Sequence, residues 1–216
     1  MAEVDIKMNN KYDLKVLITL VIFSLFIQVP VQLAFAQGHV HQKSGAAVNN
    51  GNNNLVTYEN VVHGIKILYP SGWQKTEQIS ANRFWVNFVS PFNSNNASAF
   101  PATVSVSVES LNQNISTNAT THYVTGVLAS VKKSLPDFQI IESNPKSSIA
   151  GDSAYKIVYT FLSLDPAVQA HFQSMNIWTV KDKKAYSISY TELKPLYAAY
   201  LPTVQKMIDS LEIRAK

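Results

Sequence analysis

The chain has 216 residues, of which 46% are hydrophobic and 15% charged, and its formal charge is +4 at pH 7 with a pI of about 9.1. This composition allows a sizeable core and excludes global disorder, and no dense basic stripe indicates nucleic-acid binding. The absence of cysteine excludes disulfides, thiolate metal sites, a lipid anchor on cysteine and a cysteine nucleophile.

The first 36 residues have the three parts of an export signal. Lys7, Lys11 and Lys15 precede an uncharged, predominantly apolar run over residues 16–27, and the small-x-small tripeptide 34–36 ends the segment. This order predicts a signal peptide over residues 1–36, cleaved after Ala36. The alternative is an uncleaved anchor, because residues 16–36 are long enough to cross a bilayer. Both interpretations place the rest of the chain outside the cytoplasm, secreted or at the outer face of the cell membrane.

A linker over residues 37–55 follows, rich in Asn and Gly, and a single domain is expected over residues 56–216. Within the domain, seven segments are rich in β-branched and aromatic residues or alternate with period two, which favours strands. These segments are residues 65–69, 84–89, 103–108, 138–142, 155–161, 175–180 and 185–191. The third places three Val on one face and Thr and Ser on the other, as in a half-buried strand. The last two predict a hairpin about Asp182-Lys183, with a loop longer than two residues because Lys183 suits a tight turn poorly.

Two segments change to the helical period of three and four. Apolar residues recur in this way over residues 123–135, with Thr120 or Thr121 as the predicted cap and Pro136 as the end. A second stripe runs over residues 197–211, where Pro202 predicts a kink or two short helices. Residues 211–213 predict a short edge strand. The sum predicts the α+β class, with an antiparallel sheet of about seven strands flanked by helices.

The candidate metal site lies at the expected mature amino terminus. Cleavage after Ala36 exposes Gln37-Gly38-His39, whose amine, two amides and imidazole suit square-planar Cu(II), with His41 as a further donor. The alternative is a flexible linker that contains two histidines, or an amino-terminal Gln that has cyclised.

Other candidate residues are dispersed. His63, His122 and His171 show no ligand spacing and are interpreted as surface residues. The aromatic residues, with Trp73, Trp85 and Trp178 among them, are interpreted as core, with a ligand pocket as the alternative. Motifs for acyl transfer, zinc-dependent proteolysis and nucleotide binding are missing, so no enzyme is expected; a hydrolase with Ser, His and Asp assembled in space stays open. Three Asn begin N-x-S/T triplets and are candidate glycosylation sites: Asn96, Asn114 and Asn118.

The order of several segments resembles the PsbP family. The opening residues 58–60 and the run 64–73, a Gly-led strand leading into Pro and Trp, are similar to the start of that family. Later similarities fall at residues 103–106, 154–159, 177–182, 185–186 and 204–213. The resemblance implies a sheet flanked by helices, a fold shared with the Ran-binding Mog family. It also implies extrinsic subunits such as those of the photosystem II oxygen-evolving complex, which help to retain calcium, although no residue motif for ion retention is visible. We therefore expect an exported, non-enzymatic accessory or binding domain, an extrinsic component of a membrane complex with no nucleic-acid partner.

Overall fold

The structure is a computed structural model that describes residues 54–91, 100–111, 118–165 and 168–214. These ranges form ten strands and two helices. The strands are β1 (Leu55–Asn60), β2 (Ile65–Pro70), β3 (Gln74–Ser80), β4 (Arg83–Val89), β5 (Thr103–Ser110), β6 (Gln139–Ile149), β7 (Asp152–Leu162), β8 (His171–Lys181), β9 (Lys184–Leu193) and β10 (Glu212–Ile213). The helices are α1 (Ala119–Ser134) and α2 (Tyr197–Asp209).

The strands form two antiparallel sheets. The large sheet has seven strands in the order β3-β4-β5-β9-β8-β7-β6, and the small sheet has the order β1-β2-β10. The predicted α+β fold with a seven-stranded antiparallel sheet and two flanking helices is confirmed, and so is the short strand at Glu212–Ile213. The sequence did not predict β1, β3 or the separate small sheet. Most of β3 is exposed and polar, so it lacks the apolar alternation that reveals a half-buried strand.

The two faces of the large sheet pack against different elements. On one face, α1 covers β7 and β8, where its Val residues contact Ile157, Tyr159 and Trp178. On the other face, α2 and the small sheet cover a continuous core that includes Val86, Val106, Ile188 and residues of β2. All three Trp are buried, as expected for core residues.

The hairpin between β8 and β9 is tighter than predicted. Lys181 pairs directly with Lys184, so Asp182 and Lys183 alone form the turn, both with positive φ (49° and 59°). The prediction of a longer loop is therefore wrong. Ten cross-strand pairs fix the register of the two strands, and this pairing outweighs the cost of a left-handed conformation at Lys183.

Both helices depart from the predicted ends or breaks. Helix α1 begins after Asn118, which makes no side-chain cap, and the hydroxyl of Thr120 instead accepts a hydrogen bond from the Val180 N–H at 3.0 Å. Helix α2 continues through Pro202 instead of splitting there. Pro202 removes the N–H that would bond the carbonyl of Ala198, an exposed residue, while Val204 and the following turn stay buried in the core.

Gly64, which opens the motif shared with the PsbP family, is required by its surroundings. Its φ is +67°, and a Cβ at this position would overlap the carbonyl oxygen of Arg214. A hydrogen bond from the Arg214 N–H to the Gly64 carbonyl at 2.7 Å holds the two residues in this close contact. This position joins the small sheet to the end of the chain, so a side chain there would separate β10 from β2.

Candidate functional site: the polar face of the large sheet

The α1 side of the large sheet carries short polar side chains on β4, β5, β8 and β9. Strand alternation places them on one face, and the cross-strand pairs Asn87–Ser105, Ser105–Ser189 and Ser189–Asn176 show that they are contiguous. We call this surface the polar face and define it as Asn87, Thr103, Ser105, Ser107, Ser174, Asn176, Ser187, Ser189 and Thr191. Helix α1 packs on β7 and β8 beside it.

Hydrogen bonds connect neighbouring strands across the polar face. Ser107 and Ser187 share a hydroxyl–hydroxyl bond of 2.7 Å, and Ser174 and Thr191 share one of 2.8 Å. At the β4 end, the Ser105 hydroxyl donates to Asn87 Oδ1 at 2.5 Å. The Nδ2 group of the same Asn87 amide is buried and has no hydrogen-bond partner in the described part of the chain.

The polar face is buried at its β4 side and at Ser174 on β8, and it is half-buried on β9. Asn87 is completely buried, Ser105 is 5% exposed, and Trp85 next to them is 7% exposed. Ser187 and Ser189 on β9 are only half-buried. The hydroxyls of β9 can therefore be contacted from solvent, whereas the donors of β4, on the far side of β5, are buried.

Three buried N–H groups on β4 lack a hydrogen-bond partner in the described part of the chain. They are Arg83 Nε, Trp85 Nε1 and Asn87 Nδ2. The three residues alternate along one strand, and each pairs with a residue of β5 whose side chain lies on the same face. Buried donors are almost always paired in native proteins, with protein groups, ordered water or a ligand.

A buried ion pair closes one end of this row. A terminal nitrogen of Arg83 donates to Glu109 Oε2, and the Tyr123 hydroxyl of α1 donates to the same oxygen at 2.7 Å. Both charged side chains are 9% exposed. Burial, and then the negative charge of Glu109, raise the pKa of the Tyr123 hydroxyl, so it stays protonated and keeps donating. The end of the row is thus electrically balanced.

The structure separates the predicted site residues from this face or does not describe them. Gln37, Gly38, His39 and His41 lie outside the described residues, as do the candidate glycosylation sites Asn96 and Asn114. Asn118 is exposed at the start of α1 with φ of 85°.

The three histidines of the domain lie in different parts of the fold: a turn, a helix and a strand. His63 stacks on Phe84 with 4.1 Å between ring centroids, and burial, then the charge of Lys184, lower its pKa. His122 is exposed on α1, and His171 Nδ1 lies 3.6 Å from Asp137 Oδ2 in an exposed pair. In the described ranges, no serine hydroxyl is hydrogen-bonded to a histidine.

The described residues contain neither a cluster of metal ligands nor a membrane-spanning helix. No group of three or more His, Asp and Glu side chains there could hold a metal ion, so calcium retention stays a prediction without an assigned residue. None of the helices in the same ranges combines the length and the apolar character needed to cross a membrane.

The sequence did not reveal the polar face as a site. The run 84–89 is predicted to be a strand from its composition. Trp85 and Asn87 alternate in it with Phe and Val, and this alternation was the signal that the strand has two different faces. The partnership of Arg83 with Glu109 joins residues far apart in sequence, and no local pattern predicts it.

Comparison with known proteins supports the fold. The sequence matches the family described as PsbP-like protein over residues 15–213. Cyanobacterial PsbP (CyanoP) from Synechocystis is similar in structure, with a TM-score of 0.54 and 15% identity over 79% of this chain and 98% of the other. A protein of unknown function from Pseudomonas aeruginosa, a putative regulator, gives a TM-score of 0.52 and 17% identity over 75% of this chain and 99% of the other. The Ran-binding protein Mog1p of Saccharomyces cerevisiae gives a TM-score of 0.47 and 10% identity over 74% of this chain and 95% of the other. No curated protein matches the sequence.

Proposed function

Because this chain belongs to the PsbP-like protein family, we propose that it is an exported, non-enzymatic accessory domain that binds a partner outside the cytoplasm. The polar face is its binding surface. The observation that carries this proposal is the row of three buried, unpartnered N–H donors beside half-buried hydroxyls. Such a surface offers hydrogen bonds that the described part of the chain does not use.

The chemistry of the polar face favours binding over catalysis. A serine hydroxyl becomes a nucleophile when an adjacent base takes its proton. Here the bonds of Ser105, Ser107 and Ser174 go to amide, hydroxyl or carbonyl oxygens, which are weak bases. The carboxylate of Glu109, at the end of this face, is already engaged by Arg83 and Tyr123.

Export rests on the leader over residues 1–36, and the accessory role rests on the family. PsbP proteins include extrinsic subunits of photosystem II, and the leader delivers this domain to the outer side of a membrane. We extend the accessory role, without the photosynthetic partner, to an extracytoplasmic membrane complex.

Export is tested by a native mass spectrum of the protein released gently from the cell envelope. We expect a chain that starts at Gln37 and is found outside the cytoplasm. The variant Leu20→Arg places a charge in the apolar run and should leave an unprocessed chain inside, since a charged residue there opposes insertion. Wild-type protein that stays in the cytoplasm at full mass contradicts export.

Use of the polar face is tested in the same preparation. Ser189→Tyr fills the half-buried part of the polar face, and Ala198→Tyr makes a matched change at an exposed residue of α2 on the opposite side of the sheet. We expect the wild type and Ala198→Tyr to be released in a larger assembly, and Ser189→Tyr to be released alone. An assembly that survives in Ser189→Tyr, or a wild-type chain that is always alone, overturns the proposed role of this face.

A further inference from the structure

Three strongly exposed apolar side chains lie at one end of the molecule. Val61 is 63% exposed, Val62 78% and Ile79 77%, and the other large apolar residues exposed in the described part of the chain are Ile140 and Ile141. Val61 and Val62 lie in the turn between β1 and β2, and Ile79 lies at the end of β3, next to the turn into β4. We call Val61, Val62 and Ile79 the apolar tip.

Contacts within the domain hold the two turns of the apolar tip together. His63, which follows Val62, stacks on Phe84 of β4 with 4.1 Å between ring centroids. Phe84 in turn pairs directly with Ile79 across the two strands. The His63 N–H donates to Asn60 Oδ1 at 3.1 Å, which closes the β1–β2 turn on itself. The backbone that exposes the apolar side chains is therefore fixed by the fold.

The hairpin between β8 and β9 ends beside these turns. At the end of β5, the Ser110 N–H donates to the Asn82 carbonyl of the β3–β4 turn at 2.7 Å. The next N–H, that of Leu111, donates to the Lys183 carbonyl of the β8–β9 turn at 2.8 Å. The end of β5 thus connects the two turns, and the lysines of the hairpin lie at the same end of the sheet as the apolar tip.

The charges at this end include two lysines without an ion pair. Burial, and then the charge of Lys184, lower the pKa of His63, so Lys184 lies close to the β1–β2 turn. Within the described ranges Lys183, Lys184 and Asp182 make no ion pair, which leaves a small positive excess. Nearby acidic side chains are already paired: Asp152 with Lys181, Glu77 with Lys75, Glu109 with Arg83, and Glu59 and Glu212 with Arg214.

This combination favours the surface of a bilayer over a protein partner. A stable protein interface buries about 800 Å² on each partner around a packed apolar centre, and three side chains on two turns do not supply such a centre. A bilayer accepts separate apolar side chains at the boundary between headgroups and acyl chains, and its anionic headgroups attract neighbouring lysines. Because turns leave backbone groups unpaired, contact is confined to this interfacial region.

We propose that the apolar tip docks this domain on the surface of a membrane that contains anionic lipids. Val61, Val62 and Ile79 enter the interface, and Lys183 and Lys184 contact the headgroups. The apolar tip lies apart from the polar face, on the side of the large sheet that carries the small sheet. The inference therefore goes beyond the proposed function and does not depend on it.

The lack of cysteine allows a probe at a single site. Val62→Cys introduces one thiol at the apolar tip, which is labelled with the environment-sensitive dye nitrobenzoxadiazole. Ile141→Cys is the matched control: it lies near the start of β6, whereas the other end of β6 pairs with Asp152, the partner of Lys181. Vesicles of phosphatidylcholine and phosphatidylglycerol in equal parts should shift the emission at Val62→Cys to the blue and leave Ile141→Cys unchanged. The position of the dye makes this result independent of cleavage of the leader.

Variants separate the apolar and the charged contributions, with the dye placed at Ile79→Cys. Val61→Asn combined with Val62→Asn should weaken binding to these vesicles by about tenfold or more, since two exposed apolar side chains are lost. Lys183→Asn combined with Lys184→Gln should weaken it by about tenfold and remove the preference over pure phosphatidylcholine. Asn suits the positive φ of residue 183, so the hairpin is retained. Ile140→Asn combined with Ile141→Asn is the control and should leave binding unchanged.

Three results would overturn the proposal. No response of Val62→Cys to either kind of vesicle would exclude a bilayer and leave the exposed valines to a protein partner. Equal responses of Val62→Cys and Ile141→Cys would show adsorption without a preferred orientation. Binding that is unchanged when Val61 and Val62 are both replaced by Asn would show that the apolar tip does not make the contact.

Discussion

The two faces of the large sheet are built from the same strands but are stabilised in different ways. On β5, Val104, Val106 and Val108 point to the core beneath α2 and the small sheet, and Ser105 and Ser107 point to the polar face. Burying one aliphatic side chain stabilises a protein by about 1.5–3 kcal/mol, whereas a typical hydrogen bond contributes about 0.5–1.5 kcal/mol net. On β5 the apolar side therefore contributes more stability, and the half-buried hydroxyls of the polar face are the groups that can change with little cost to the fold.

The largest expected difference between the two faces comes from a cavity on the apolar face, which should lower the free energy of unfolding. Phe88 is completely buried between Tyr58 and Tyr69, with ring centroids 5.8 and 4.6 Å away. Phe88→Ala should lower the free energy of unfolding by about 3–5 kcal/mol, since it removes buried surface and leaves a cavity. Urea denaturation measures the change. Ser187→Ala on the polar face is the control and should cost less than about 1.5 kcal/mol; equal losses in the two variants would contradict the difference between the faces.

The same comparison explains how far the sequence predicts this molecule. The alternation of Val with Thr and Ser in residues 103–108 predicted both faces of β5 correctly. It predicted that the polar side would be half-exposed, yet Ser105 is 5% exposed, because Asn87 of β4 lies against it. That contact depends on the register between two strands, which non-local packing decides and local pattern does not.

Predicting the row of donors on β4 also requires non-local information. Trp85 and Asn87 could be placed on one face from the strand period alone, but their lack of partners is a property of the folded protein. Arg83 and Glu109 are far apart in sequence, so the buried ion pair at the end of the row could not be predicted either. By contrast, the amphipathic helices and the short carboxy-terminal strand are local patterns, and each was recognised.

A carboxyl group on the apolar face offers a finer test of the difference. Glu192 follows Tyr186, Ile188 and Tyr190 in the alternation of β9 and is 2% exposed, with a hydrogen bond from the Leu193 N–H at 2.7 Å. Burial raises its pKa from 4.5 to about 7, and the Leu193 bond opposes part of this rise. The folded state therefore keeps a proton that the unfolded state loses between about pH 4.5 and pH 7.

The sign of the pH effect follows from this difference in bound protons. The contribution of Glu192 to stability is fully present below about pH 4.5 and is lost as the pH rises through about 7, by roughly 3 kcal/mol in all. Glu192→Gln keeps the shape and cannot ionise, so it should match the wild type near pH 4.5 and be more stable by roughly 3 kcal/mol near pH 8. Urea denaturation of both proteins across this range gives the difference directly, since other titrating groups cancel. Parallel profiles would show that Glu192 ionises freely, and the face that holds it would then be wetter than the structure indicates.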